Sequence, residues 1–453
     1  MFNVIKVKKG LDIPLYGEAK SEIRTADVDL YALKPQDFTA ITPKLLVEEG
    51  DRVLRGTPLF FAKEKPDVKF VSPVSGVVKA IVRGEKRVIE CIVVEADGKD
   101  DTVDFGSFDV KSATREQVVE KLLASGCWTF IRQRPYSLIP NPASTPKCII
   151  IKGFDSAPLA PDYNTLLKGE EKALQIGTEA VAKLTEGKLH LNASNKRPLN
   201  FVPDCDRLQV NYFEGKHPCG NVSVQIEKLD PINKGERVWY IDVNDVVTIG
   251  KLFLTGRYVS DKTVALTGQE VKNTGYYRIK RGALLEPLLA GNVNTEHHLR
   301  IISGNVLTGT KTDQNGFISH YDNQITVINE GDNYEFLGWI LPGFKKFSVN
   351  RTFPYGFLRL LCKKPVKVDA NLHGGHRAFV FTGEFEKVFP LNVYPLQLIK
   401  ACIIGDIDQM EQLGIYEVDS EDFALCEVID ASKTEIQKII KQGLELMRKE
   451  MGE

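Results

Sequence analysis

The sequence predicts a multidomain α/β protein, and three observations support this fold class. The chain has 453 residues, enough for about three domains of ~150 residues each. Apolar residues make up 43% and charged residues 26% of the chain, as is typical of a folded protein. Short alternating apolar segments fill residues 41–95, whereas strand and helix patterns alternate over residues 112–256. We therefore expect a small β domain, then an α/β domain, a second β region and a helical C-terminal region.

The first β region, residues 41–95, shows short strands separated by tight turns. Gly50-Asp51, Gly56 and Ser75-Gly76 supply residues that accept a positive φ, which a compact β structure needs at its turns. The apolar residues between these turns recur with a period of about two.

The following region has the pattern of parallel α/β units. Thr114 and Gln117 have capping-box spacing before a short apolar helical stripe, which ends at Gly126. A buried strand is predicted over Lys147–Gly153, a helix over Glu170–Leu184 and a second strand over Lys188–Ala193. This strand–helix–strand order predicts a crossover unit in a parallel sheet.

The C-terminal half returns to β character and then becomes helical. Apolar β-type runs lie near residues 263–267, 300–304 and 323–328. Helices are predicted over Pro395–Leu413 and after a capping box formed by Ser432 and Glu435. The apolar stripe of the last helix is expected to pack in the interior; it consists of Ile436, Ile439, Ile440, Leu444 and Met447.

Charge and hydropathy exclude two classes of protein. Lys and Arg total 59 and Asp and Glu total 60, so the basic excess of a dedicated nucleic-acid binder is missing. No run approaches the ~20 apolar residues of a membrane-spanning helix. The N-terminus lacks the apolar region of a signal peptide. The expected location is therefore cytoplasmic, with any membrane attachment made through partners.

Motif searches predict no metal or nucleophile site. The eight cysteines include no CxxC pair, which structural zinc and iron–sulfur sites commonly use. Gly304–Lys311 has the glycine spacing of a P-loop but not its Gly-Lys order, and it is interpreted as a turn between strands. His373-Gly-Gly-His376 and His217-Pro218-Cys219-Gly220 are likewise interpreted as turns.

One stretch stands out by its charge. Between Lys121 and Phe154 there is no acidic residue, and Arg132, Arg134 and Tyr136 lie there among other aromatic residues. Such side chains hold planar or anionic ligands by cation–π contact, and they also anchor protein interfaces. A structural loop without a ligand is the third interpretation, and the sequence leaves all three open.

The pattern VxxGDxVxxGxxL over Val47–Leu59, followed by SPxSGxV, resembles the biotinyl/lipoyl-type barrel-sandwich hybrid. In carrier domains of that type a modified lysine lies on a hairpin, at the place of Lys65 here. The resemblance leaves a carrier module as an alternative function. The flanking Met residues of carriers are missing and Pro66 follows directly, so we expect Lys65 to be an unmodified, solvated hairpin lysine.

In order along the chain, further segments resemble the A subunit of the Na+-translocating NADH:quinone reductase. They are Ile5–Pro14, Lys69–Gly76, Arg132–Ser137, Arg377–Leu391 and Glu421–Cys426. The layout is similar to the C subunit of the Rnf complex and to the flavin subunit of respiratory complex I. The resemblance implies a barrel-sandwich hybrid over residues 1–105 and a Rossmann-like α/β domain over 106–256. It further implies a β-grasp (SLBB-like) domain over 257–340 and a mixed, helical region over 341–453.

The departures from those relatives concern the redox sites. Flavin-binding relatives have a GxGGxxF loop whose glycines let the backbone approach the flavin phosphate. This chain has Gly126-Cys-Trp-Thr-Phe-Ile-Arg132, where Trp128 and Phe130 would fill that space. The relatives' NGAECEP segment is here Lys152–Pro158, and the four-cysteine cluster motifs are missing. We therefore expect no flavin, no iron–sulfur cluster and no hydride chemistry on this chain; a flavin-binding electron-transfer subunit of an Rnf-like complex is the alternative.

The implied function is that of a peripheral subunit on the cytoplasmic face of the inner membrane. The complex is implied to couple NADH oxidation and quinone reduction to Na+ export, with flavins and iron–sulfur centres on other subunits. This chain would assemble with integral membrane subunits and not be catalytic by itself. A quinone needs an apolar slot and hydrogen-bond donors, for which Arg132, Arg134 and Tyr136 are the candidates.

Overall fold

The structure is a computed structural model that describes residues 3–332, 336–337, 340, 365–380 and 383–452. Parts of the predicted regions lie outside the described residues. They include residues 341–364 at the predicted start of the C-terminal region, with Cys362 among them, and two residues of the Arg377–Leu391 segment.

Nineteen strands lie in the described residues. They are β1 Asn3–Val7, β2 Ile23–Thr25, β3 Leu30–Leu33, β4 Pro43–Leu45, β5 Arg52–Val53, β6 Pro58–Ala62, β7 Lys65–Val71, β8 Gly76–Arg83, β9 Ile89–Ala96, β10 Arg132–Arg134, β11 Ile149–Lys152, β12 Leu189–Ser194, β13 Leu208–Gly215, β14 Val238–Asp242, β15 Asp261–Thr267, β16 Gly275–Lys280, β17 Leu299–Ser303, β18 Thr310–Thr312 and β19 Gln324–Asn329.

The α-helices of the described residues lie mainly in the α/β and C-terminal regions. They are α1 Arg115–Ala124, α2 Tyr163–Leu166, α3 Glu171–Ala182, α4 Val222–Leu229, α5 Val243–Thr255, α6 Glu286–Leu289, α7 Phe385–Val388, α8 Pro395–Ile404, α9 Ile407–Gln412, α10 Ala424–Ile429 and α11 Ile436–Glu450. No helix in this part of the chain is long and apolar enough to cross a membrane.

Two small antiparallel sheets form the first β region, as the sequence predicts. One has the order β3-β9-β8-β5 and the other the order β4-β6-β7. Phe60 and Phe70 stack in the interior with ring centroids 4.4 Å apart, and Ile92 is fully buried in the same core. These inward-facing side chains are the core that the period-two pattern predicts.

Lys65 differs from its prediction. The hairpin turn is Lys63-Glu64, and Lys65 already pairs with Ala62 at the start of β7. Its Nζ donates a hydrogen bond of 2.6 Å to the carbonyl of Ile139 in the α/β region. The expectation of a solvated lysine was therefore wrong, because the side chain is partly buried against the neighbouring domain.

The α/β region contains a six-stranded sheet of order β1-β13-β12-β11-β14-β10. Its strands are parallel except for the edge strand β10, which runs antiparallel to β14. The predicted crossover from β11 through α3 to β12 is confirmed. The predicted capping box also forms: Thr114 accepts from Gln117 N, and the Gln117 side chain accepts from Thr114 N.

The first two strands lie in sheets of later regions. β1 pairs with β13 of the α/β sheet, and β2 pairs with β16. β16 belongs to a third sheet of order β18-β17-β19-β15-β16-β2. Apart from β2, the strands of this sheet are β15–β19, which form the second β region that the sequence predicts. The N-terminal segment therefore ties the α/β and second β regions together; the predicted domain boundaries stay a prediction.

The C-terminal helices differ from the sequence prediction at two places. The predicted helix over Pro395–Leu413 is two helices, because Gly405 adopts a left-handed φ of 70° and Asp406 caps α9. The predicted capping box of Ser432 and Glu435 does not form, since the Ser432 hydroxyl donates to the carbonyl of Ala378 instead. The predicted stripe of α11 is nevertheless buried, with Ile439 half-buried.

Candidate functional site

The Arg132 guanidinium lies between two tyrosine rings. Its central carbon is 4.6 Å from the ring centroid of Tyr240 and 4.2 Å from that of Tyr321. Tyr240 is the cross-strand partner of Arg132 on β14, and the hydroxyl of Tyr321 donates to the carbonyl of Thr129 at 2.6 Å. Both rings are thus held in place by the chain, and Arg132 is held by cation–π contact with each of them.

The charge of Arg132 is retained in this setting. Burial alone would lower its pKa, but Tyr240, Tyr321 and Glu421 outweigh burial and raise the pKa above its ordinary value. Among the described residues, no hydrogen bond or ion pair involves the Arg132 side chain. Its edge thus keeps donors that can recognise a carbonyl or carboxylate.

Arg134 forms ion pairs within the chain. The side chain is buried, and its Nη2 lies 2.7 Å from Oε1 of Glu421. The second Nη contacts the carboxylate of Asp419. Although burial would lower the pKa of Arg134, these carboxylates raise it, so the residue stays charged. Arg134 therefore fastens the C-terminal region to β10, which matches the structural interpretation left open for this loop.

Tyr136 is a third, separate position. It is buried and adopts a left-handed φ of 73°. Its ring meets Tyr416 edge to face, with centroids 6.3 Å apart, and both line a cavity of about 170 Å³. The structure thus gathers Arg132 and Arg134 over the Tyr240 ring and directs Tyr136 toward the C-terminal region.

The loop at which the sequence predicts no flavin, Gly126–Arg132, is packed in the interior. Trp128 and Phe130 lie in a short 3-10 helix, Cys127–Phe130, and are 0% and 1% exposed. Gly126 has a φ of 74°, and a Cβ there would lie 2.8 Å from the methyl groups of Val71. A glycine is thus required at position 126, because the backbone there packs closely against the first β region. These residues do not fit a phosphate cradle; the expectation that the chain holds no flavin stays a prediction.

The segment Lys152–Pro158 contributes to a solvent-connected recess at the carboxyl ends of β11, β12 and β13. The recess has a volume of about 400 Å³, and open α/β sheets bind ligands at this edge. Lys152 pairs with Asp155 at 2.8 Å, and Ser156 Oγ lies 3.1 Å from Nδ1 of His217. Burial lowers the pKa of His217 to about 4, so the imidazole is neutral at pH 7.

Of the two histidine-containing segments, one forms the predicted turn, whereas residues 373–374 of the other form a bend. Residues 217–220 form a turn, and Gly220 N donates to Ser156 Oγ at 2.8 Å. His373 contacts Asp369 at 3.3 Å in an exposed bend. Residues 306–308 form the turn that joins β17 to β18, where Lys311 lies. Within the described ranges, no three His, Cys, Asp or Glu side chains are grouped to hold a metal.

The partners that surround Arg132 and Arg134 could not be predicted from the sequence. Tyr321 lies 189 positions after Arg132, and Glu421 lies 287 positions after Arg134. The sequence pointed to Glu421 only indirectly, because Glu421 begins a segment that carries the family resemblance. No local sequence pattern indicates that Glu421 pairs with Arg134.

Family models match three parts of the chain. The NqrA N-terminal barrel-sandwich hybrid domain matches residues 5–97, the NqrA second alpha/beta domain matches 113–258, and the NQRA C-terminal domain, an SLBB type, matches 263–314. The predicted fold class, a barrel-sandwich hybrid, an α/β domain and an SLBB-like domain before helices, is confirmed.

Full-length relatives agree with these domain matches. The A subunit of the Na(+)-translocating NADH-quinone reductase of Yersinia pseudotuberculosis serotype I (strain IP32953) is 36% identical over 452 residues, covering 99% of this chain and 100% of the relative. That of Serratia proteamaculans (strain 568) is 36% identical over 453 residues with the same coverage. That of Klebsiella pneumoniae (strain 342) is 35% identical over 452 residues, again covering 99% and 100%. The chain therefore belongs to the NqrA family, the A subunits of the Na+-translocating NADH-quinone reductase.

Proposed function

We propose that this chain is a peripheral subunit of a Na+-translocating NADH:quinone reductase, on the cytoplasmic face of the inner membrane. It assembles with integral membrane subunits, and the complex couples NADH oxidation and quinone reduction to Na+ export. The observation that carries the proposal is end-to-end similarity: relatives with this name align over 99% of the chain and 100% of their own length.

The role of the chain within the complex is assembly, without a redox cofactor of its own. Two observations support this part. Trp128 and Phe130 are core residues where flavin-binding relatives have a glycine-rich loop. Gly126 packs against Val71 rather than facing a recess. Flavins, iron–sulfur centres and the NADH site would then belong to other subunits.

Arg132 is the residue we assign to the quinone site or to the subunit interface beside it. Its charge is held by two tyrosine rings, and its edge donors are not used by the described residues. A guanidinium edge can donate to a quinone carbonyl or to a partner's carboxylate. Arg134 supports the loop through Glu421 rather than by contacting a ligand, and Tyr136 borders the same loop.

Affinity purification of the tagged chain from mildly solubilised native membranes tests the proposal. We expect integral subunits and NADH:quinone reductase activity to co-elute with it. Elution of the chain alone from active membranes would contradict the proposal. A tagged cytoplasmic protein of similar size, carried through the same steps, controls for non-specific recovery.

A further inference from the structure

A short acidic segment of the C-terminal region lies at the beginning of helix α4. This acidic segment is Asp419–Asp422. Asn221, the residue before α4, donates its Nδ2 to Oδ1 of Asp422 at 3.1 Å and to the carbonyl of Glu421 at 3.4 Å. The contact with α4 is thus made by the side-chain amide of Asn221, and burial together with the neighbouring Glu421 carboxylate raises the pKa of Asp422 to about 7.

A buried cation and a hydroxyl group complete the surroundings of the segment. Arg134, 2% exposed, contacts both Asp419 and Glu421. Ser137 donates to Asp419, and Lys152 at the carboxyl end of β11 contributes attraction to Glu421. A guanidinium and a hydroxyl are groups with which proteins hold phosphate or carboxylate ligands.

The carboxylates are tied into this site rather than lying loosely on the surface. Asp419 accepts a hydrogen bond of 2.6 Å from the backbone N–H of Ser420, and its own N–H donates to Asp422 at 2.8 Å. Burial would raise the pKa of Asp419, but Arg134, Ser137 and Ser420 outweigh it and hold the pKa below its usual value. Asp419 is thus an anion at neutral pH despite its burial.

We propose that Asp419 and Glu421 fill, from within the chain, an anion-binding subsite of the α/β domain formed by Arg134 and Ser137. The acidic segment acts as an internal ligand. It excludes phosphate-bearing ligands from this subsite and fixes the C-terminal region to the α/β domain. Since a buried guanidinium without an anion is strongly unfavourable, removal of the two carboxylates leaves a site that takes an anion from solution.

The test is anion rescue in the full-length chain. Asp419→Asn/Glu421→Gln is expected to lower the melting temperature, and inorganic phosphate is expected to restore it by a few degrees, because a ligand that binds only the folded state stabilises it. Sodium chloride at the same ionic strength is expected to restore less. The wild-type chain is expected to respond to phosphate no more than to chloride. Should the double variant not fold, Glu421→Gln alone serves, since Glu421 is 35% exposed.

Two further variants decide the outcome. Glu18→Gln/Glu435→Gln removes two exposed carboxylates and is expected to show no phosphate-specific effect; their side chains are 62% and 63% exposed. Adding Arg134→Gln to the rescued variant is expected to abolish rescue. The proposal is overturned by a folded variant without phosphate rescue, by equal stabilisation of the wild type, or by rescue that persists without Arg134.

Discussion

The indole rings of Trp128 and Trp239 meet edge to face, with centroids 5.5 Å apart. Both side chains are fully buried, and Nε1 of Trp128 donates to the carbonyl of Pro140 at 3.0 Å. Trp239 belongs to β14 of the α/β sheet, so the contact joins the loop after α1 to the centre of the α/β core. Trp128, at the place where the resemblance implied a cofactor loop, is therefore a packing residue in this chain.

Trp128→Ala is expected to destabilise the chain by about 3–5 kcal/mol, the usual cost of removing a large buried aromatic side chain. Urea unfolding followed by far-ultraviolet circular dichroism measures it. Val88→Ala, at a position 54% exposed, is the control and is expected to change stability by less than about 0.5 kcal/mol. A loss at Trp128 no larger than at Val88 would contradict a packing role.

Gly250→Ala is expected to destabilise the pair of helices α3 and α5. A Cβ at Gly250 would overlap with the carbonyl oxygen of Ala173, and a Cβ at Gly177 would overlap with the carbonyl oxygen of Val246. Overpacking of this kind costs about 1–3 kcal/mol, more than alanine's helix propensity returns. Thermal unfolding of Gly250→Ala beside Gly375→Ala, where no atom lies within 4 Å, measures the difference. Equal melting temperatures would argue against a close helix crossing.

The elements predicted from sequence are those with local signals. The capping box at Thr114 and the continuous apolar run of β11 each depend on neighbouring residues, and both appear as predicted. The pairing of β1 with β13 could not be predicted, because it joins segments that lie far apart along the chain, such as Asn3 and Asn211. At Ser432 the local pattern predicted a helix cap, but the hydroxyl group instead donates a tertiary hydrogen bond to the carbonyl of Ala378.

The candidate site was predictable only in part, for the same physical reason. An acid-free stretch rich in arginine and aromatic residues pointed to Arg132 and Arg134. Their different surroundings depend on Tyr321 and Glu421, which reach the loop from other domains. Composition alone therefore could not separate the arginine whose donors the described residues leave unused from the arginine in an ion pair.

Arg132→Gln is expected to lower quinone-dependent activity of the assembled complex roughly 5- to 100-fold, mainly through a higher KM for quinone. This range corresponds to losing one charge-assisted hydrogen bond of about 1–3 kcal/mol. Steady-state assays at varied quinone concentration measure it. Arg278→Gln, at an exposed arginine on β16, is the control and is expected to behave as wild type. Intact KM and kcat in a fully assembled Arg132 variant would argue against the assignment.

Acidification is expected to destabilise the chain partly through His217. Its folded pKa of about 4 lies below the ordinary value of 6.5 because the imidazole is buried. The unfolded state therefore binds the proton first, and stability falls as pH drops from about 6.5 to 4, by on the order of 3 kcal/mol. His217→Gln is expected to flatten this fall in urea midpoints between pH 7.5 and 5.

Some pH dependence is expected to remain in that variant, because burial also lowers the pKa of His190 and His320. His297→Gln, at an exposed position, is the matched control and should keep the wild-type slope. Identical slopes for wild type and His217→Gln would show that His217 is not the proton-linked group.

Lys65 is expected to be unmodified in the native host. Its Nζ is hydrogen-bonded to the Ile139 carbonyl, and it lies beyond the hairpin turn instead of at the tip. Peptide mass spectrometry of the purified chain should therefore find Lys65 with its unmodified mass. A biotinyl or lipoyl mass increment at this residue would restore the carrier alternative.

One measurement tests most directly whether this subunit contributes a protein scaffold and no redox cofactor: the visible absorption spectrum of the isolated full-length chain, stripped of its partner subunits but folded. We expect a colourless protein that releases no flavin on denaturation, while the partner subunits retain the colour. A yellow chain that releases stoichiometric flavin would contradict it and assign electron transfer to this polypeptide.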